Sequence, residues 1–374
     1  MQEIKKNILF IHPDLRGGGA EKVLVNLLNT LDRNRYTITL LTIFEEGVNK
    51  KLLESHIEHK VIFKKVFRGW SIIQKLFTPE YLFKKLVKKD YDIIVAYLEG
   101  VPTRIVGGCT NPKTKIISWV HVDLTNFSID KVFRSKSEMA KIYNRYNAIV
   151  GVSKTAMNSL QQIVTVPETK CHVIHNVVDT KLILRQGAEP IDDITVDREI
   201  MNLCSVGRLT RQKGYGRLMS IVKKLAEEGF KFHLYIIGQG ELEQDLKKTI
   251  TKFHIQKYVT LLGFKSNPHK YVKQSDLFVC SSYEEGFSTA VTESVILGTP
   301  VITTDCAGME EILENGDVGM IVENNTEDLY AGLKKLFQHQ KLVLEYNRKT
   351  FEKSKILQGR NNTVSVEKLF QSNI

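Results

Sequence analysis

Leu277-Phe-Val-Cys-Ser-Ser-Tyr-Glu-Glu-Gly-Phe-Ser-Thr-Ala-Val-Thr-Glu-Ser-Val-Ile-Leu-Gly-Thr-Pro-Val-Ile-Thr303 reads as one strand–loop–helix–strand unit. Leu277 to Cys280 are continuously apolar and make a short buried strand, which Ser281, Ser282 and Gly286 break. Ser288 to Leu297 then reads as a helix, and Gly298 and Pro300 stop it before the apolar run Val301–Thr303. Unbroken apolar strands joined through helices imply a parallel sheet covered on both faces. The same alternation extends outward, with strands read at Asn202–Gly207, Phe232–Ile237, Val259–Leu262 and Met320–Val322.

A separate series precedes it. Ile8–His12 is a strand, Arg16-Gly17-Gly18-Gly19 a turn, and Ala20, Val23, Leu24, Leu27, Leu28 and Leu31 recur at helical spacing. Further strands read at Tyr36–Phe44, Asp92–Leu98, Lys115–Val122 and Ala148–Val152. Between Leu182 and Glu199 the pattern breaks at Gly187, Pro190 and Asp192-Asp193, as in a linker. A chain of 374 residues is too long for one ordinary core and suits two α/β domains. The expected division is 1–190, 191–355 and an amphipathic C-terminal helix within 356–374.

Composition narrows the function. A net charge of +11 calls for an anionic partner: nucleic acid, a membrane surface or phosphorylated ligands. No nucleic-acid recognition motif accompanies the charge. No apolar run approaches the roughly 18–20 residues of a spanning helix, and the start, which places its apolar run against His12 and Pro13, reads as a first strand and not a secretory signal. The five cysteines, Cys109, Cys171, Cys204, Cys280 and Cys306, are scattered, mostly in apolar runs and never as CxxC. They read as small core residues in a reducing cytoplasm.

Three clusters carry chemistry. The glycine turn before Ala20-Glu21 offers helix N-terminal amides to an anion, or is simply a tight turn; it is not a dinucleotide fingerprint. Gly207-Arg208-Leu-Thr-Arg-Gln-Lys213-Gly214 follows the second domain's first strand, where open α/β sheets bind ligands, and Arg208 with Lys213 suits a diphosphate. In the opening stretch Glu285 falls in the loop and Glu293 on the second turn of the helix, beside the amides near Ser288 and Thr289. Glu293 is suited to accept hydrogen bonds from vicinal ribose hydroxyls, and Glu285 from sugar hydroxyls. Paired glutamates also suit glycoside hydrolysis, which leaves the basic pair and glycine turn unexplained.

Taken in order, Gly18-Gly19-Ala20-Glu21, Gly207-Arg208-x4-Lys213-Gly214 and Glu285-Gly286-Phe287 with Glu293 and Gly298-Thr-Pro300 closely resemble the signature of family 4 retaining glycosyltransferases. The resemblance implies a GT-B fold, two Rossmann-like doubly wound domains facing across a cleft that holds a nucleotide-sugar. It implies donor binding by Gly18, Gly19, Arg208, Lys213, Gly263, Phe264, Gly286, Phe287, Ser288, Thr289 and Glu293, with His121 and Glu285 as catalytic residues near the transferred sugar. Alone, His121 would read as a structural histidine. The resemblance also lets the C-terminal helix cross back to the first domain. Ser288, Ser294 and Val177 stand where the family commonly has glycine, alanine and glycine.

The implied activity is transfer of a hexose or N-acetylhexosamine, with retained configuration, from a UDP-sugar to a glycan or lipid-linked acceptor in bacterial-type cell-surface polysaccharide synthesis. No cofactor and no metal are expected; Asp90-Tyr-Asp92 precedes its strand and so lies at the wrong end of the sheet. From Lys60 to Lys89, lysines and Arg68 interleave with Phe63, Phe67, Trp70, Phe77, Tyr81 and Phe83, and Glu80 is the one acidic residue. This stretch reads either as an anionic-membrane surface that positions a lipid-linked acceptor, or as a helix with aromatics inward and lysines in water. The first places the protein on the inner face of the cell membrane. Competing functions are a sugar-nucleotide epimerase of the same fold, a non-catalytic partner subunit and a nicotinamide oxidoreductase.

Overall fold

The computed structural model describes residues 5–16, 18–67, 69–125, 127–358 and 362–372; Gly17 of the first turn and Arg68 of the basic stretch lie outside them. Two compact units divide the chain, Met1–Val178 with Asn361–Ile374, and Asp179–Arg360.

The first unit holds seven strands, β1 (Lys6–His12), β2 (Tyr36–Phe44), β3 (Glu58–Phe63), β4 (Ile93–Ala96), β5 (Lys115–Val120), β6 (Ala148–Gly151) and β7 (Cys171–Val173). They pair in the order β3-β2-β1-β4-β5-β6-β7, and every pairing is parallel. The central strands are apolar because helices cover both faces, and Ile8, Phe10, Ile94 and Ile117 are fully buried. The edge strands β3 and β7 escape the sequence reading: Glu-His-Lys-Val-Ile-Phe and Cys-His-Val face solvent in part and lack a continuous apolar run. Asp92 sits at the amino end of β4, where its carboxylate accepts from the Asn7 amide at 2.7 Å.

The second unit holds β8 (Met201–Val206), β9 (Phe232–Ile237), β10 (Val259–Gly263), β11 (Leu277–Cys280), β12 (Val301–Thr304) and β13 (Gly319–Val322), in the parallel order β10-β9-β8-β11-β12-β13. Both sheets therefore reverse their winding once, between β1 and β4 and between β8 and β11. In open α/β sheets the crevice at such a reversal, beyond the carboxyl ends of the strands, is where ligands bind.

The division falls after Val178 and not at 190. The helix Thr180–Gly187 packs on the helices His269–Lys273 and Thr289–Leu297, with Ile183 buried, so these residues belong to the second core. At Gly187 the helix comes close to its neighbour, since a Cβ there would press on the terminal methyl Cδ2 of Leu297 and oblige that side chain to shift. The C-terminal helix Asn362–Gln371 lies on the first unit. There Phe370 packs edge-on against Phe10 and Tyr36, and Lys115 Nζ donates to the Leu369 and Ser372 carbonyls at 2.6 and 2.8 Å. All five cysteines are free thiols, and burial pushes Cys204 and Cys306 up to about 12.

Candidate functional site

The loops after β8 and β11 bring two of the expected residues into contact. Lys213 ends a short helical turn, Arg211–Lys213, that Gly214 closes with φ 68°. A Cβ at Gly214 would overlap the Ser281 carbonyl oxygen, so only glycine lets the β8 loop pass this close to the β11 loop. Across that approach Lys213 Nζ donates to Glu285 Oε1 at 2.6 Å, and Ser282 Oγ donates to the same oxygen at 2.6 Å. Glu285 is 9% and Lys213 21% exposed in side chain, so the pair is screened from most water and open at the lysine.

Arg217 holds the β11 loop in that position. It projects from the helix Tyr215–Glu227, and its guanidinium donates to the Ser281 carbonyl (2.8 Å), the Ser282 carbonyl and Asn324 Oδ1 (2.9 Å). It also stacks 3.9 Å over the Tyr283 ring. Two carbonyls fixed from one planar fork leave the backbone ahead of Glu285 little freedom.

Glu285 leads directly into the helix Thr289–Leu297. Ser288 is its cap: the hydroxyl accepts from the Val291 amide at 3.4 Å, and the Ser288 carbonyl accepts from Thr292 Oγ1 at 2.8 Å. A small pocket joins the pieces, lined by Ser205, Lys213, Ser282, Glu285, Ser288 and Ala290 among others. Gly286 and Phe287 pack under Gly308, at φ 79°, whose Cβ would crowd both of them.

Glu293 lies deeper, 7% exposed, with Oε2 3.1 Å from His269 Nε2. His269 Nδ1 lies in turn 2.8 Å from Gln186 Oε1. Neither His269 nor Gln186 carries a sequence signal, because they sit on two other helices and meet Glu293 only through packing. Arg208 is exposed on the turn after β8, and its carbonyl accepts from the Thr210 amide at 2.8 Å. Among the described residues no hydrogen bond or ion pair joins its side chain to Lys213 or Glu285, which pair with each other instead. Gly263, with φ 68°, ends β10 and accepts from the Gly238 amide at 2.9 Å, and Phe264 beside it is 59% exposed.

In the first unit the reversal between β1 and β4 collects a second set. Gly18 precedes the helix Gly19–Thr30, and a Cβ there would overlap the Glu21 carboxylate, which folds back over this helix start. His12 ends β1, and its Nδ1 donates to the Asp14 carbonyl at 2.6 Å. His121 follows β5, its amide donating to Glu99 Oε2 at 2.8 Å and its ring 4.9 Å from that of Tyr97. Burial holds both imidazoles far below their ordinary value, His12 at about 4 and His121 at about 3, so both are neutral at physiological pH. Such a ring is a hydrogen-bonding group and a weak base. Burial also pushes the Glu99 carboxyl up. His12 and Glu99 escape the sequence reading because neither lies in a recognisable motif.

Among the described residues no group of three or more His, Cys, Asp or Glu is placed to hold a metal ion, and no helix is long and apolar enough to cross a membrane.

Residues 17–182 match the family described as Glycosyltransferase Family 4, and residues 196–353 the one described as Glycosyl transferases group 1. A Campylobacter jejuni protein named N-acetylgalactosamine-N,N'-diacetylbacillosaminyl-diphospho-undecaprenol 4-alpha-N-acetylgalactosaminyltransferase is 26% identical over 93% of this chain and 94% of its own length. An amylovoran biosynthesis glycosyltransferase of Erwinia amylovora is 24% identical over 93% and 95%. Among solved structures, Anabaena HepE in complex with UDP and glucose superposes with a TM-score of 0.75 at 20% identity, over 97% of this chain and 98% of that one. Sucrose-phosphate synthase of Thermosynechococcus elongatus superposes at 0.78 and 13%, over 98% of each. With two doubly wound parallel units of the GT-B class and one family match on each, the chain belongs to the group 1 glycosyltransferases of family 4.

Proposed function

We propose that this glycosyltransferase moves a hexose or N-acetylhexosamine from a UDP-sugar, with retention of configuration, to a glycan or lipid-linked acceptor in cell-surface polysaccharide synthesis. One observation carries the reading: Lys213 and Glu285 meet at 2.6 Å beside the sheet reversal, next to the capped start of the helix Thr289–Leu297. A cation and helix amides there suit a diphosphate, whose negative charge grows as the sugar departs; such preorganised groups are often the largest catalytic term. An incoming phosphate would compete with Glu285 for Lys213, leaving the carboxylate to accept from sugar hydroxyls. Arg208 is exposed within reach of solvent and is assigned to the same diphosphate. His121, neutral, is assigned a hydrogen bond to the sugar, and Glu293 the ribose hydroxyls.

No carboxylate is assigned as a nucleophile, so retention is ascribed to same-face substitution, the leaving phosphate helping to deprotonate the acceptor. The choice of UDP is supported by the UDP complexes of structures with this fold. The choice of acceptor is supported by the Campylobacter relative, named for a diphospho-undecaprenol acceptor, and by the amylovoran relative. A panel of UDP- and GDP-sugars tests the reading by nucleotide release, with the product anomer read by NMR. Release from one UDP-sugar with retained configuration is expected; release from none, or an inverted product, overturns it.

The acceptor side is assigned to the segment between β3 and β4. Phe63 and Trp70 pack on each other, with Phe67 against both, but Ile72, Leu76 and Tyr81 are 61, 78 and 51% exposed. Exposed apolar side chains among exposed Lys64, Lys65, Lys84 and Lys85 suit an anionic bilayer surface, and a peripheral place on the inner membrane face follows. Buried Arg104 anchors the segment by donating to Gln74 Oε1 at 2.7 Å, the Phe77 carbonyl at 2.9 Å and Glu138 Oε1 at 2.8 Å.

A further inference from the structure

Glu293 is held by a chain of side chains from three helices: Gln186 on Thr180–Gly187, His269 on His269–Lys273 and Glu293 itself on Thr289–Leu297. The two links are 2.8 and 3.1 Å, and His269 is 2% exposed. A carboxylate only accepts, so His269 Nε2 carries the proton that faces Glu293 Oε2. Nδ1 then pairs with the Gln186 amide whichever way that amide lies, accepting from its NH₂ or donating to its oxygen. Both ring nitrogens are thus committed, and the ring has no remaining polar edge for a ligand.

A carboxylate that grips two vicinal hydroxyls must hold one plane, because the hydroxyl oxygens of a ribose are fixed relative to each other. Carboxylate torsions are broad and soft on their own. Fastening one oxygen from a buried ring sets that plane before a ligand arrives, which removes part of the ordering cost of binding.

We propose that His269 is a positioning residue for donor recognition: through its Nε2–H it aims Glu293 at the 2′- and 3′-hydroxyls of the donor ribose, with Gln186 fixing the ring. The proposal rests on the reading that Glu293 binds ribose. It concerns selectivity for the ribose and touches neither the sugar nor the diphosphate. Loss of His269 therefore weakens only ligands that carry both hydroxyls.

The test compares UDP with 2′,3′-dideoxy-UDP, by calorimetry, on the full chain as wild type, His269→Phe, His269→Gln and Glu293→Ala. Wild type is expected to prefer UDP by about tenfold or more, the order for losing a hydrogen bond to a charged group. His269→Phe keeps the ring volume and removes the donor, so it should erase most of that preference while 2′,3′-dideoxy-UDP binds unchanged. His269→Gln restores a donor and should recover part of the preference. A preference erased in Glu293→Ala but intact in His269→Phe overturns the role of His269 alone. A preference intact in Glu293→Ala overturns the ribose reading and the proposal with it. Equal weakening of both ligands in His269→Phe, with the His269→Gln variant no better, marks a purely structural histidine and also overturns the proposal.

Discussion

Lys213 and Gly214 adjoin in sequence and are expected to fail in different ways. Lys213→Ala removes the cation at the sheet reversal and leaves Glu285 with its Ser282 bond. Nucleotide release should fall by about 10²–10³-fold, the usual loss for one preorganised electrostatic group, with the thermal midpoint nearly unchanged. Full activity in this variant would refute the site. Gly214→Ala should instead fail as a protein. At φ 68° its Cβ meets the Ser281 carbonyl, so the β8 and β11 loops must part at a cost of about 2 kcal/mol or more, read as a lowered urea midpoint. Motif spacing alone makes these two positions equally prominent; the carbonyl that separates their roles lies on another loop.

Short elements at the strand ends decide how the first unit responds to acid and to truncation of side chains. His12 and His121 are neutral when folded, near 4 and 3, against 6.5 when unfolded. Between these values the unfolded chain binds protons that the folded chain refuses, so their contribution is present above pH 6.5 and is lost as pH falls through this range, towards about 4 for His12 and about 3 for His121. The urea midpoint of wild type should therefore drop more steeply from pH 7 to about 5 than that of His12→Gln, whose side chain does not titrate. Equal slopes would show that His12 is not buried as a neutral ring. The C-terminal helix makes a second case. Its amphipathic pattern is visible in Val364–Phe370, but only packing shows that Phe370 meets Phe10 and Tyr36. Phe370→Ala should cost about 3–5 kcal/mol of stability in the first unit. The strands β3 and β7 were illegible for the converse reason: an edge strand needs only one partner and one covered face, so its composition stays mixed.

For the molecule as a whole, the +11 charge and the exposed apolar side chains between β3 and β4 are expected to act together. Flotation with phosphatidylglycerol vesicles should exceed that with phosphatidylcholine and should weaken as salt rises from about 0.05 to 0.5 M, because screening shortens the reach of the lysines. Leu76→Glu with Lys64→Glu and Lys65→Glu should abolish flotation and leave nucleotide release from the donor, with a soluble acceptor present, intact; unchanged flotation would discard the membrane assignment. The two-domain α/β class was legible from the chain itself, since apolar runs of strand length alternate with helical stripes and need no knowledge of neighbours. So was the order of the glycine, lysine and glutamate motifs, which local backbone demands and charge place on strand ends. The strand order, and with it the two reversals that make certain strand ends into sites, required the tertiary structure. So did the partners His269, Gln186, Arg217 and Ser282 that fix the two glutamates and the loop leading to them. A hydrogen bond between separate helices or loops leaves no period and no spacing in a sequence; it exists only once packing has brought the donors and acceptors to 3 Å or so of one another.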